Sequence, residues 1–144
     1  MRELKQVLQG LEYFVDNEYL DKYVRLVETN RRTKRTPRLT NSHHVIPKSW
    51  FKLVGLPVDN SLQNLVNLQY RNHILAHYYL CLCTRDELQY ANELALMCLF
   101  SRKKLNPTDK YLVQHLSLYN IIYEDFQQKK KNNYKLYKNG QNDK

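Results

Sequence analysis

The sequence predicts a mainly helical single domain of the α+β type, in which helices surround a short two-strand hairpin that runs into a helix. Three observations predict it. Apolar residues recur at helical spacing through 11–27, 70–83, 88–98 and 111–126. Between the first two stretches, the segment 43–69 is broken by Pro47, Gly55, Pro57 and Asp59-Asn60-Ser61, with β-prone runs at Val45-Ile46 and 65–68. At 144 residues the chain is long enough for one modest core. On this reading 1–38 holds N-terminal helices and a basic loop, and 39–83 the hairpin and its helix. Residues 84–128 hold C-terminal helices, and 129–144 a basic polar tail.

Taken in order, Leu11, Val15, Tyr19, Tyr23 and Val27 form a stripe widened by Phe14, Leu20 and Val24, with Glu and Lys on much of the other face. Gly10 is placed to separate a short first helix from a longer second one. Asn17 offers an alternative start, as a side chain that accepts from free amides. The stretch 30–38 carries five basic side chains, Arg31, Arg32, Lys34, Arg35 and Arg38, and Pro37 argues against continued helix. Residues 43–69 are expected to be nonhelical, with the 49–57 insert absorbed by a loop. Trp50-Phe51 in that insert is better read as an apolar anchor than as a wedge into DNA. Helix returns from Tyr70 to about Cys83. Thr84 is expected to cap a further helix, with Asp86-Glu87 near its positive end, running to about Phe100. Asn106-Pro107-Thr108 breaks the chain before a last helix through Phe126. The twelve tyrosines fall mostly on helical stripes and are expected to pack.

Composition narrows the function classes. A net charge of +9 and a pI near 9.5 favour a polyanionic partner. The three cysteines, Cys81, Cys83 and Cys98, are odd in number and form no Cys-x-x-Cys pair. A disulfide framework and a zinc knuckle are therefore unexpected, and all three are read as buried small apolar groups. No secretory signal is visible, and no apolar run nears the roughly 20 residues that span a bilayer. The expectation is a cytoplasmic protein without a membrane partner.

Four of the five histidines fall within 35 residues, as His43-His44, His73 and His77. His73 and His77, four apart on a helix, share one face. Adjacent residues on an extended strand point to opposite faces, so one of His43 and His44 can join that pair at a metal while the other handles a proton. Hydrolysis of a phosphodiester needs both a base for water and a cation for the phosphate. His115 has no partner at ligand spacing and is read as a core-edge or surface residue.

The phrases His43-His44-Val45-Ile46-Pro47-Lys48, Asn64-Leu65-Val66-Asn67-Leu68 and His73-Ile74-Leu75-Ala76-His77 together resemble HNH endonucleases, whose core is a ββα-metal (His-Me finger) fold. The likeness spans Ser42 to Leu80, about a quarter of the chain. It looks closest to small HNH proteins of phages and other mobile elements, and the histidine pattern also resembles the nuclease domains of DNase colicins. The zinc-binding Cys-x-x-Cys pairs of some HNH proteins are absent here. The resemblance implies His43, His73 and His77 as metal ligands, His44 as the base, and Asn64 as the amide that braces the loop and helps orient the base. It implies one divalent ion. Imidazole suits zinc, nickel and manganese better than magnesium, and the sequence does not choose among the four. Lys48, Arg71 and Arg38 lie beside the motif and, with Lys34 and Arg35 of the basic loop, are the expected phosphate contacts. Double-stranded DNA is the expected partner, and RNA stays open as a substrate. The alternatives are a module on the same fold that binds nucleic acid or protein without cutting, and a structural metal site.

Overall fold

The computed structural model describes residues 3–37 and 39–100, with 124, 127 and 128. The last helix expected through Phe126, His115 and the basic polar tail 129–144 lie outside the described residues, or almost wholly so. Among the described residues the chain is mostly helical with one small antiparallel sheet, the coarse class that the sequence predicts.

The N-terminal stripe divides into α1, Leu4–Gln9, and α2, Glu18–Thr29. Both sequence signals act: Gly10 ends α1, and Asn17 starts α2. The Asn17 side chain accepts from the amides of Tyr19 and Leu20, at 3.0 and 3.1 Å. Its Nδ2 donates to Leu82 O at 2.9 Å. Val15 N likewise donates to Cys83 O at 2.8 Å. A helix leaves its last carbonyls without internal partners, so the segment between α1 and α2 closes the end of a helix far along the chain.

The hairpin pairs β1, Thr40–His44, with β2, Leu65–Gln69, in the register His43 opposite Val66 and His44 opposite Leu65. The sequence places the first strand at Val45-Ile46, and the structure moves it upstream. Asn64 decides this. Its backbone carbonyl takes Val45 N, and its side chain takes both the N–H and the carbonyl of Ile46, which ends the ladder. The polar sequence of β1 carries no β signal of its own, and its backbone is held by a partner strand.

The insert is a second correction. It is not a loop but contains a helix, α3, Lys48–Val54. Pro47 stands just ahead of it, and proline's fixed φ suits a helix start. Gly55 ends it in the left-handed region at φ 76°, which a side chain would strain. Trp50 and Phe51 are buried, as the anchor reading expects, and the indole Nε1 donates to Glu12 O at 3.1 Å. A short 3-10 turn, Leu62–Asn64, leads into β2.

α4, Tyr70–Cys83, follows β2 without a break. Ala76, Leu80 and Cys83 face one cluster, with Leu20, Tyr23, Val27, Val45, Val66 and Leu68. Ile74, Tyr78 and Cys81 face another, with Leu96 and Leu99. On a 3.6-residue period His73 and His77 fall in the gap between these two apolar stripes. α5, Asp86–Phe100, packs along α4. Thr84 does not cap α5, which begins two residues later at Asp86; its hydroxyl donates back to Leu80 O in α4 and accepts from Asn92 Nδ2. Cys81 and Cys83 are buried as expected, whereas Cys98 is exposed. No helix among the described residues is long and apolar enough to cross a membrane.

Candidate metal centre

Alternation along β1 separates the two adjacent histidines. His43 points inward and is 3% exposed, while His44 on the other face is half-exposed. Helical spacing brings His73 and His77 beneath His43. The three ring centroids stand 4.9 to 5.2 Å apart, and one ligand atom from each lies within 4.8 Å of the others.

This donor set fits a divalent transition metal. Nε2 of His77 and Nε2 of His73 are 3.2 Å apart. Two nitrogens about 2.05 Å from a tetrahedral ion would stand roughly 3.3 Å apart. Two imidazole nitrogens at that distance share either a proton or a cation. Burial, then the neighbouring His73, pushes the His77 imidazole down to about 3. Burial, then His77, His73 and His44, holds His43 well below the usual histidine range. Both rings are therefore neutral at neutral pH, with lone pairs available to a ligand. Nδ1 of His77 is buried without a hydrogen-bond partner among the described residues.

His43 and His77 also line a cleft of about 540 Å³ with Ser42, His44, Lys48, Lys52 and Asn92 among its walls. Three imidazoles are one ligand fewer than a closed structural zinc site takes. His44 Nε2 stands 2.8 Å from Asn60 Oδ1. The amide oxygen can only accept, so Nε2 carries a hydrogen, and the neutral ring has its lone pair on Nδ1.

Asn64 is buried, and its side-chain hydrogen bonds go to Ile46 and Asp59 rather than to the His44 ring. Its Oδ1 accepts from Ile46 N at 2.8 Å, and its Nδ2 donates to Asp59 O at 2.9 Å and Ile46 O at 3.3 Å. It braces both ends of the insert, and the residue after Asp59 is the one that holds His44.

The expected phosphate contacts separate. Lys48 lines the cleft. Arg71, Lys34 and Arg35 are exposed but do not line it, and Arg38 lies outside the described residues. The basic loop is nonetheless tied to the hairpin, because Asn67 Nδ2 donates to Thr33 O and Arg31 to Gln63 O.

Three residues escape the sequence reading. Lys52 lines the cleft one turn beyond Lys48, and treating the insert as loop hid that pairing. Asn60 looks like one more turn former. Tyr23 looks like one more core tyrosine, yet its hydroxyl is 2.8 Å from His43 Nε2.

No family model, no curated protein and no solved structure matches this chain.

Proposed function

We propose that the protein is a metal-dependent endonuclease of the HNH kind, hydrolysing phosphodiester bonds in double-stranded DNA at a ββα-metal core made of β1, β2 and α4. One observation carries the reading. Three imidazoles, two of them held neutral by burial, converge on one point, and a fourth opens into the same cleft from the opposite face of the same strand. A structural metal site has no use for that fourth imidazole.

His43, His73 and His77 would hold one divalent cation. When bound, it supplies Lewis-acid charge against the phosphate oxygens and the leaving 3′-oxygen. His44 receives a proton from water at Nδ1 while the water oxygen bonds to phosphorus. The phosphorus–O3′ bond breaks, and the 3′-oxygen takes its proton from solvent. The products are a 5′-phosphate and a 3′-hydroxyl. Asn60 keeps His44 in the tautomer that can accept the proton, and Asn64 keeps Asn60 in place. Lys48 and Lys52, one turn apart on α3, attract the phosphate into the cleft.

The test is supercoiled plasmid incubated with wild type and His44→Ala, in EDTA and then in magnesium, manganese, nickel or zinc. Metal-dependent nicking or linearisation by wild type, reduced about 100-fold or more in the variant, is expected. Plasmid binding without cutting under any metal would replace the enzyme by a binding module. Equal cutting by both proteins would remove His44 from the role of base.

A further inference from the structure

We infer that Tyr23, on the N-terminal helix α2, fixes the tautomer of His43 and thereby presents its Nδ1 lone pair to the cation site. Tyr23 is fully buried, so no solvent competes for its hydroxyl. That hydroxyl stands 2.6 Å from Val45 O and 2.8 Å from His43 Nε2. A phenol has one proton to donate. A carbonyl can only accept, so the proton goes to Val45. The lone pair of the hydroxyl then faces Nε2, and that nitrogen must carry the hydrogen of the neutral ring. The free lone pair of His43 is left on Nδ1.

The arrangement does more than hold a ring. Val45 follows the histidine pair directly, and its carbonyl is taken by Tyr23 while its amide donates to Asn64 O at 2.9 Å. The end of β1 is thus pinned from α2 on one side and from the approach to β2 on the other. Tyr23 is a positioning residue, acting on a proposed ligand through that ligand's second nitrogen. Outer partners of this sort change metal affinity by about 10–100-fold when removed. The ligand-presenting half of the inference rests on the metal reading proposed above, whereas the tautomer half stands without it.

The experiment uses the full chain labelled with 15N-histidine. Long-range 1H–15N spectra of metal-free wild type are expected to show His43 protonated at Nε2. Tyr23→Phe is expected to lose that single tautomer and to bind zinc at least 10-fold more weakly in competition with a chromophoric chelator. Val27→Ala, which opens a cavity on the same helix without touching His43's hydrogen bond, is expected to keep wild-type zinc affinity. A wild-type spectrum with the proton on Nδ1 overturns the inference, and decides it even when Tyr23→Phe does not fold. Unchanged zinc affinity in Tyr23→Phe, or an equal loss in Val27→Ala, overturns the positioning role. Wild type that binds no zinc ends the metal reading and the ligand role of Tyr23 together, and the spectrum still decides the tautomer.

Discussion

Asn64→Asp isolates one amide group at almost constant volume. The replacement keeps an oxygen for Ile46 N at 2.8 Å and turns the other side of the group from a donor into an acceptor. That side faces two carbonyls, Asp59 O at 2.9 Å and Ile46 O at 3.3 Å. Each buried polar group left without its partner costs about 1–3 kcal/mol. The longer contact belongs at the lower end, so about 3–4 kcal/mol is expected from the pair. Against a total stability of about 5–15 kcal/mol, that is a large loss. It corresponds to a fall in Tm of roughly 10 °C for a chain of this size. The loss should also depend on pH. Burial and the two carbonyls raise the new carboxyl above its unfolded value, so it stays protonated in the fold at low pH and can donate to one carbonyl. Its contribution is then present below an unfolded value of about 3.9 and is lost as pH rises through the folded value. Urea unfolding of wild type and variant at pH 4 and pH 7 reads this as a difference that grows with pH. A difference under about 1 kcal/mol at pH 7, or one equal at both pH values, would refute the assignment of Asn64 as the brace of the insert.

Three further outcomes follow from the same geometry. Zinc at 100 times its Kd should stabilise wild type by about 2.7 kcal/mol, and His77→Ala should abolish that concentration-dependent gain in thermal unfolding. In EDTA, stability should be complete above an unfolded histidine value of about 6.5 and fall as pH drops towards the folded His77 value of about 3. The unfolded chain binds the extra proton in that window. His77 alone then removes about 2 kcal/mol between pH 7 and pH 5, with His43 adding in the same direction, read from urea midpoints. Lys48→Ala and Lys52→Ala should each lower the slope of log binding constant against log salt by about one on duplex DNA, in a fluorescence titration. Arg71→Ala, outside the cleft, should change the slope less.

The sequence alone determined the parts governed by short-range periodicity. A 3.6-residue repeat with apolar neighbours located α4 between Tyr70 and Cys83 and put His73 and His77 on one face. The period of two along a strand assigned His43 and His44 to opposite sides, and the observed burial of one but not the other follows it. Tertiary structure decided whatever depended on partners distant in the chain. The strand at 40–44 is polar, and β2 and the Asn64 brace set its limits. In α3 the side chains of Trp50 and Phe51 are buried, and the Trp50 indole reaches Glu12 O, 38 residues away in the chain. Tyr23 and His43 meet only because α2 packs on α4 and the hairpin together. A tyrosine on an apolar stripe looks the same in sequence whether its hydroxyl meets solvent, a carbonyl or a histidine. Side-chain hydrogen bonds are short-range in space and indifferent to chain separation, so local pattern located the ring nitrogens but not the groups that orient them.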